Sequence, residues 1–365
     1  MKILADENIP YAEALFSNLG EVKLLPGRSM TASDLTDIDV LLTRSVTKVN
    51  ASLLDGNAVK FVGTCTIGTD HIDKQYLQRH HIGFSSAPGC NALGVVQYDI
   101  CALAHLDKLD SSLRYAVVGC GNVGRRVYQY LVSLGLDCIG VDPHLSKNEI
   151  PNLQPFEKIF DCDVICLHTP LVLDGDFPTE SLIGERELQR LKPDVTLLNA
   201  GRGECIDNPA LLEHLKTHPE VNAVLDVWKS EPRMNPELFD YVKIGTPHIA
   251  GYSFEGRVNG STMIFEALAA HLGRSNDWIS SVLNTLRQDI FGKRVELQAG
   301  SVKDLVLQTY DIQADHEKLK AVLQALPESF DQLRKSYFKR REFGHYICTN
   351  DAISSSVLRA LGFKE

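Results

Sequence analysis

The sequence predicts an α/β protein with two doubly wound parallel-sheet domains and a small C-terminal α+β domain. Short apolar runs that end in glycine, proline or a polar residue alternate with segments of helical periodicity, which is the pattern of repeated βαβ units. Several runs, such as residues 164–167 and 223–225, are continuously apolar, as strands covered on both faces must be. The chain of 365 residues is also too long for one usual hydrophobic core.

The elements follow one another in an order that suggests the domain boundaries. Five strands are predicted in residues 1–92, in the runs 1–7, 22–27, 39–45, 59–66 and 82–89. A helical segment, 91–109, leads into a second domain at 93–252, whose strands begin near residues 113, 137, 163, 194, 222 and 242. Residues 253–285 return the chain to the first domain. Residues 286–365 are predicted to form the C-terminal domain, with strands in 293–300 and 343–350 and helices between them.

The charge and the cysteines limit which partners and compartments are expected. The formal charge is −10, and no long basic run is present, so we expect neither nucleic acid nor a membrane as a partner. The densest basic stretch, residues 335–341, predicts the solvated face of a helix. The nine cysteines include no CxxC pair, and Cys162 and Cys166 are expected to be buried thiols rather than metal ligands. With no apolar targeting segment recognised, we expect a cytoplasmic protein without a metal site.

A glycine-rich turn carries the first chemical signal. Gly119, Gly121 and Gly124 match G-x-G-x-x-G between an apolar strand and an amphipathic helix. The first glycine permits the tight turn, the second allows the backbone to approach a pyrophosphate, and the third allows close packing of helix and strand. The amides of Asn122 and Val123 are then expected to face the phosphates at the positive end of the helix.

Asp142 ends the next strand, 18 residues after the last glycine of this turn. At that place a carboxylate accepts hydrogen bonds from the ribose hydroxyls and repels a 2′-phosphate, and no arginine follows in Pro143 or His144. NAD is therefore favoured over NADP. The alternative is a strand-end aspartate beside a structural turn.

Polar residues at three further strand ends point to proton and hydride chemistry. Arg202, Glu231 and His248 follow separate predicted strands, and the carboxyl ends of parallel strands meet at one edge of a sheet. An arginine binds a carboxylate through two hydrogen bonds, a histidine takes a proton near neutral pH, and a glutamate orients and stabilises the histidine. Together these three residues predict the oxidation of a 2-hydroxy acid.

Each residue of this set also has a plainer interpretation. Arg202 could pair with Glu204 at a turn, Glu231 could be a solvated loop charge, and His248 could be a satisfied histidine at a strand end. The combination on successive strand ends of one NAD-binding sheet favours the catalytic interpretation over these alternatives.

At this point the sequence resembles a known family, the D-isomer-specific 2-hydroxyacid dehydrogenases. The resemblance covers residues 1–285 and rests on five motifs in order, "GCGNVGRR", "LHTPL", "LLNAGRGECID", "LDVWKSEP" and "TPHIAG". It implies a flavodoxin-like substrate domain and a Rossmann NAD domain. It also implies that Arg202 binds the substrate carboxylate and that Glu231 pairs with His248, which exchanges the proton. Four further residues are implied to line the cofactor site: Thr169, Ala200, Asp226 and Gly251.

Other segments resemble one branch of this family, which acts on a phosphorylated polyhydroxy acid in pyridoxal phosphate biosynthesis and carries an extra C-terminal dimerisation domain. The loop "TCTIGT", residues 64–69, offers hydroxyls where relatives commonly have an arginine and extra glycines. Ser45, Thr66 and Tyr252 are expected to contact the substrate, and Arg44, ahead of Lys48, is the expected phosphate ligand. A homodimer through residues 286–365 is implied.

Two other functions remain open on the sequence. A phosphoglycerate-type dehydrogenase would use the same three residues on a different phosphorylated acid. A corepressor-like protein that senses NAD(H) shares the scaffold, but such proteins usually have long disordered flanks, which this chain does not show.

Overall fold

A computed structural model describes residues 1–291, 293–325, 329–349 and 352–363 of the chain. The chain divides into two compact units. The first contains residues 1–91 and 253–294, and the second contains residues 92–252 and 295–365. Residues 295–365 cluster with the second unit. A separate C-terminal domain at 286–365, as the sequence indicates, therefore stays a prediction.

The first unit is built on a five-stranded parallel sheet. Its strands are β1 (Lys2–Asp6), β2 (Glu21–Leu25), β3 (Val40–Thr43), β4 (Phe61–Thr64) and β5 (Gly83–Ser86), in the order β2-β1-β3-β4-β5. Five helices accompany them: α1 (Ala12–Phe16), α2 (Ala51–Leu54), α3 (Lys74–Arg79), α9 (Phe254–His271) and α10 (Asn276–Phe291). This strand order is that of flavodoxin-like folds, as expected.

The two faces of this sheet bury alternate residues of each strand, because successive side chains point to opposite sides. Ile3 and Leu42 pack with the residues of α9 in one core, whereas Leu4 and Leu41 belong to a second core. Both cores are apolar, so the sheet is covered on both sides.

The second unit contains a six-stranded parallel sheet in the order β11-β10-β9-β8-β6-β7. Its strands are β6 (Arg114–Val118), β7 (Asp137–Val141), β8 (Val164–Leu167), β9 (Thr196–Asn199), β10 (Asn222–Leu225) and β11 (Ile244–Gly245). Its helices are α4 (Ala92–His105), α5 (Gly124–Ser133), α6 (Glu185–Leu188), α7 (Asn208–Thr217) and α8 (Pro236–Tyr241). The chain leaves β6 toward β7 on one side and later toward β8 on the other, so the topological switch point lies beside the glycine-rich turn.

The cysteines of this sheet are part of its two cores. Cys162 and Cys166 are fully buried on opposite faces, and all nine cysteines of the chain are free and buried. Burial raises the pKa of the Cys162 thiol to about 11. These are therefore packing residues, as predicted.

The C-terminal part of the second unit is α+β. Strands β12 (Val295–Leu297) and β13 (Tyr346–Cys348) pair in parallel, and four helices surround them: α11 (Val302–Thr309), α12 (Ile312–Ala325), α13 (Phe330–Lys335) and α14 (Ser355–Leu361). Leu305 and Leu361 lie in the same core as Val117 and Cys166 of the large sheet. His316 accepts a hydrogen bond from the Gly245 amide of the edge strand β11 at 3.0 Å, so this part covers the open sheet edge.

One prediction about this part is wrong. Residues 335–341 were expected to form the solvated face of a helix, but α13 ends at Lys335 and Arg340 is only 1% exposed. A charge count along the chain cannot distinguish a solvated arginine from one whose guanidinium is enclosed by distant residues. In the described ranges no helix is long and apolar enough to cross a membrane.

Candidate active site

The loops that follow the strands of the six-stranded sheet touch one another along its carboxyl edge. A Cβ added at Gly119, after β6, would lie 2.8 Å from the Thr169 amide nitrogen, after β8. A Cβ at Gly201, after β9, would lie 2.8 Å from the Thr169 carbonyl oxygen, and one at Gly203 would lie 2.1 Å from the Trp228 carbonyl carbon, after β10. The His248 amide donates to the Asp226 carbonyl at 2.7 Å. The predicted site residues of this unit therefore lie on adjoining loops.

The glycine-rich turn has the shape that a bound pyrophosphate requires. Gly119 has a φ of +83°, and a Cβ at Gly124 would lie 1.9 Å from the Gly119 carbonyl oxygen, so both positions need glycine. A Cβ at Gly121 would meet nothing within 4 Å, which leaves open space beside the backbone. Across the described residues, the amides of Asn122 and Val123 donate to no acceptor. These two amides and the open space fit the phosphates of NAD.

Asp142 lies at the end of β7, next to this turn. Its carboxylate accepts hydrogen bonds from the Cys120 amide at 2.9 Å and from the His144 amide at 3.0 Å. These bonds fix the orientation of the carboxylate, and each oxygen keeps a further lone pair for a ribose hydroxyl. Asp142 is therefore oriented by backbone amides of two loops, the glycine-rich turn after β6 and the loop after β7.

Arg202 follows β9 on a tightly packed loop. Its own carbonyl accepts from the Asn199 side chain at 2.9 Å, and its guanidinium donates to the Gly201 carbonyl at 2.9 Å. The loop continues as a short 3-10 turn, Gly203–Cys205, whose glycine packs against the Trp228 backbone. The side chain is half-buried and carries the cation that a substrate carboxylate requires.

Glu231 and His248 form a hydrogen-bonded pair. The distance between His248 Nδ1 and Glu231 Oε2 is 2.7 Å, and Glu231 Oε1 accepts from the Trp228 amide at 2.7 Å. The His248 side chain is 35% exposed and the Glu231 side chain is 19% exposed. With Nδ1–H donating to the carboxylate, Nε2 carries the lone pair of the neutral ring, and it has no hydrogen-bond partner in the part of the chain that the structure describes. Nε2 is therefore the ring nitrogen that is available to accept a proton.

The charge state of Glu231 follows from its surroundings. Burial by itself would raise the pKa of this carboxyl, but the His248 charge and hydrogen bond, the Trp228 amide and the Arg334 guanidinium together hold its pKa below the ordinary value. Glu231 is therefore ionised at neutral pH. An ionised carboxylate both selects the Nδ1–H tautomer of His248 and stabilises the ring when it is protonated.

Asp226 holds the backbone that carries His248. Its carboxylate accepts from the Thr246 hydroxyl at 2.6 Å and from the amides of Ile249 and Ala250 at 2.7 and 2.8 Å. His248 itself has a φ of +56°, which a side chain larger than glycine adopts only at a cost. Asp226 was expected at the cofactor site as a strand-end carboxylate and from the resemblance, and its contacts add a role in holding this conformation.

The other implied cofactor residues lie on the same loops. Thr169 is buried, and its hydroxyl donates to the Cys205 sulfur at 3.3 Å. The Ala200 amide donates to the Leu167 carbonyl at 3.2 Å, and Gly251 is half-buried two residues after Ile249. Their contact with a nicotinamide stays a prediction.

In the first unit, the predicted substrate residues follow β3 and β4. Arg44 pairs with the fully buried Asp6 at 3.1 Å, and its side chain is 23% exposed. Thr66 shares a hydrogen bond of 2.9 Å with Thr64 and donates to the Gly68 carbonyl at 3.0 Å. Ser45 and Lys48 are exposed. Asp6, which the sequence gave no reason to select, thus directs the expected phosphate ligand.

Tyr252 connects the histidine loop to the C-terminal part of its unit. Its ring meets Tyr337 edge-on at 6.0 Å, and the Arg334 guanidinium lies 5.4 Å from its centroid. Sequence reasoning missed Arg334 and Arg340 as neighbours of the site, although both lie in or beside the basic stretch that it had identified. The density of basic residues along a sequence carries no information about their burial.

Comparison with known proteins agrees with this geometry. Residues 107–250 match the model of the D-isomer specific 2-hydroxyacid dehydrogenase NAD binding domain, and residues 288–362 match a domain of unknown function, DUF3410. The erythronate-4-phosphate dehydrogenase of Saccharophagus degradans is 53% identical over 350 residues, covering 95% of this chain and 94% of that protein. The protein of the same name from Teredinibacter turnerae is 48% identical, covering 100% and 98%.

The fold also matches a solved structure. The D-lactate dehydrogenase from Aquifex aeolicus, complexed with NAD and lactic acid, superposes with a TM-score of 0.62 at 20% identity and covers 75% of this chain and 96% of that one. At this identity the likeness concerns the fold alone. The NAD-binding domain model and the full-length relatives carry the assignment further: the chain is an NAD-dependent dehydrogenase that belongs to the erythronate-4-phosphate dehydrogenase family.

Proposed function

We propose that this chain oxidises 4-phospho-D-erythronate at C2 to (R)-3-hydroxy-2-oxo-4-phosphooxybutanoate with NAD, a step in pyridoxal 5′-phosphate biosynthesis. The observation that carries the proposal is the pair of His248 and Glu231 at 2.7 Å, on loops adjoining that of Arg202. The names and full-length similarity of the relatives support the choice of substrate.

The chemistry divides among three side chains. The Arg202 guanidinium pairs with the C1 carboxylate and orients C2. His248 Nε2 accepts the proton of the C2 hydroxyl, and Glu231 stabilises the imidazolium that results. Bound NAD supplies the acceptor for the hydride from C2. Substrate loses one proton and one hydride, so the product is the 2-oxo acid.

Ser45, Thr66, Tyr252 and Arg44 remain the proposed substrate contacts. The hydroxyls of these residues are proposed to hydrogen-bond to the C3 hydroxyl of the substrate, and the Arg44 cation is proposed to pair with its phosphate. Because Asp6 already accepts from Arg44 Nε at 3.1 Å and from Nη2 at 3.5 Å, we expect the phosphate to be bound by Nη1 and the second proton of Nη2.

Initial rates of NADH formation with several acids test the substrate. We expect kcat/KM for 4-phospho-D-erythronate to exceed that for 3-phosphoglycerate and for D-lactate by at least about 100-fold, as loss of a bidentate or charged contact would produce. A preference for 3-phosphoglycerate would instead support the phosphoglycerate-type alternative. Tight NADH binding without turnover of any of these acids would favour the corepressor-like alternative.

We further propose a cytoplasmic homodimer paired through the C-terminal residues. The nine buried free thiols agree with a reducing compartment. A truncation near residue 285 is a poor test of pairing, because Leu305 and Tyr310 belong to the core of the NAD-binding unit. Light scattering of the full chain is the appropriate measurement, and a monomer mass at micromolar concentration would overturn the dimer.

A further inference from the structure

Arg340 is a fully buried arginine of the C-terminal part. It lies after α13 in a segment that the Gln97 side chain of α4 anchors by donating to the Arg341 carbonyl at 2.8 Å. Its Nη2 donates to the carbonyls of Gly94 and Ile249, both at 3.3 Å, and to the Ala250 carbonyl. Two of these three acceptors follow His248 directly in the chain.

The backbone after His248 is thereby held from both sides. The amides of Ile249 and Ala250 donate to Asp226, whereas the carbonyls of the same two residues accept from Arg340. The left-handed conformation of His248, with a φ of +56°, requires such outside restraint. Asp226 belongs to the NAD-binding sheet, but Arg340 is supplied by the appended C-terminal part.

A second set of contacts keeps the Arg340 cation in place. The guanidinium lies 4.4 Å from the centroid of the Tyr310 ring. The hydroxyls of Tyr310 and Tyr337 donate to the buried Asp315 at 3.0 and 2.6 Å, which fixes the orientation of both rings. Arg340 Nε and Nη1 have no hydrogen-bond partner in the described ranges. Burying a cation with unpaired donors costs free energy. The hydrogen bonds from Nη2 to the three carbonyls are the contacts that this burial makes possible.

We propose that Arg340 is a positioning residue for His248, and that the C-terminal part is in this way required for the geometry of the catalytic base. The inference rests on the proposed function of His248 in proton transfer. Loss of the Arg340 contacts frees the carbonyls of 249 and 250, so His248 populates orientations in which Nε2 does not meet the C2 hydroxyl. A displacement of about 1 Å at a reacting group can reduce turnover by about 100-fold.

The test compares Arg340→Met with Lys335→Met, which removes an exposed cation from the same part of the chain. We expect Arg340→Met to lower kcat about 10–100-fold per NADH-binding site, with KM for NAD within about twofold of the wild-type value. Lys335→Met is expected to retain wild-type kcat. Equal kcat values per binding site in Arg340→Met and wild type would overturn the inference, whatever the thermal stability of the variant.

Arg340→Lys keeps the proposal testable if the methionine variant does not fold. An ammonium lacks the planar fork and reaches fewer of the three carbonyls, so we expect a smaller loss of kcat, about 3–10-fold. Wild-type kcat in a lysine variant whose methionine counterpart is unfolded would assign Arg340 to stability alone and overturn its role in positioning.

A measurement without substrate separates this inference from the proposed function. The Nδ1 proton of His248 is expected to give a low-field NMR resonance in the wild type, assigned by its loss in His248→Asn. We expect Arg340→Met to broaden or shift that resonance, which would support positioning even if the wild type did not oxidise 4-phospho-D-erythronate. An unchanged resonance in folded Arg340→Met would contradict positioning even if the wild type were fully active.

Discussion

The carboxyl ends of the two parallel sheets differ in how their polar side chains are used. After the strands of the first unit, Arg44 pairs with Asp6, and Thr64 shares hydrogen bonds with Thr66 and His71. After the strands of the second unit, His248 uses one ring nitrogen for Glu231, and the other has no hydrogen-bond partner among the described residues. The same α/β architecture therefore carries polar residues that hydrogen-bond to one another in one unit, and a histidine with an unpartnered ring nitrogen in the other.

The largest expected effect comes from replacing His248 in the second unit. His248→Asn eliminates the proposed proton acceptor, and we expect kcat to fall by about 1,000-fold, within the usual range for general base catalysis. NADH affinity, measured by fluorescence titration, is expected to change less than about threefold because the substitution leaves the glycine-rich turn intact. Retention of more than a tenth of wild-type kcat would show that His248 is not the base.

Glu231→Gln is expected to have a smaller effect on the same pair. The amide keeps the shape but removes the charge that stabilises the protonated ring, so we expect kcat to fall about 10–100-fold. The loss of activity on acidification is informative as well. The ionised form of Glu231, whose pKa is lowered, is lost as pH falls through that pKa, so the wild-type advantage over Glu231→Gln should shrink in acid. A constant ratio of the two kcat values as pH falls below the ordinary glutamate pKa of about 4.3 would count against this account.

Substitutions at two glycines of the glycine-rich turn should distinguish an effect on cofactor binding from an effect on packing. Gly124→Ala places a Cβ 1.9 Å from the Gly119 carbonyl oxygen, and we expect it to lower the free energy of unfolding by about 1–3 kcal/mol. Gly121→Ala meets nothing within 4 Å, so the variant should fold with wild-type stability yet bind NADH about 10-fold more weakly, a loss of about 1.4 kcal/mol. Thermal unfolding and fluorescence titration of both variants measure this contrast. Wild-type affinity in Gly121→Ala would place the pyrophosphate elsewhere.

The smallest effect is expected in the first unit, on stability rather than turnover. Burial lowers the pKa of His71 to about 4, although Asp70 opposes the shift. The unfolded chain binds this proton near its ordinary pKa of about 6.5, so protonation favours unfolding, and the His71 contribution to stability is lost as pH falls from about 6.5 to about 4. In His71→Asn the free energy of unfolding should depend less steeply on pH over that range.

Urea unfolding at several pH values measures this slope. His81→Asn is the matched control, because His81 is exposed in the same unit and asparagine tolerates its φ of +54°. We expect the control to retain the wild-type slope. An identical slope in all three proteins would show that His71 does not couple folding to protonation.

Local sequence signals account for much of the fold and for the chemically obvious part of the site. Apolar runs alternating with helical periodicity predicted both sheets, and the spacing from Gly119 to Asp142 predicted the NAD-binding turn. Arg202, Glu231 and His248 could be selected because their types match the reaction and each follows a strand. These features depend on residues close together in the chain or on the general rule that ligands bind at strand ends.

Other features were decided only by tertiary contacts between distant residues. Arg340 lies 90 residues from Ala250 in the chain, and its burial overturned the expectation of a solvated helix face. Arg44 and Asp6, 38 residues apart, became partners only when their strands lay side by side. Asp226 was known as a strand-end carboxylate, but its bonds to Ile249 and Ala250 depend on how the next loop folds back. Sequence determined which groups were available, whereas the packing of the chain decided which of them hold the backbone at His248 and which are used in other contacts. The reason is that burial and hydrogen-bond geometry are properties of the whole fold.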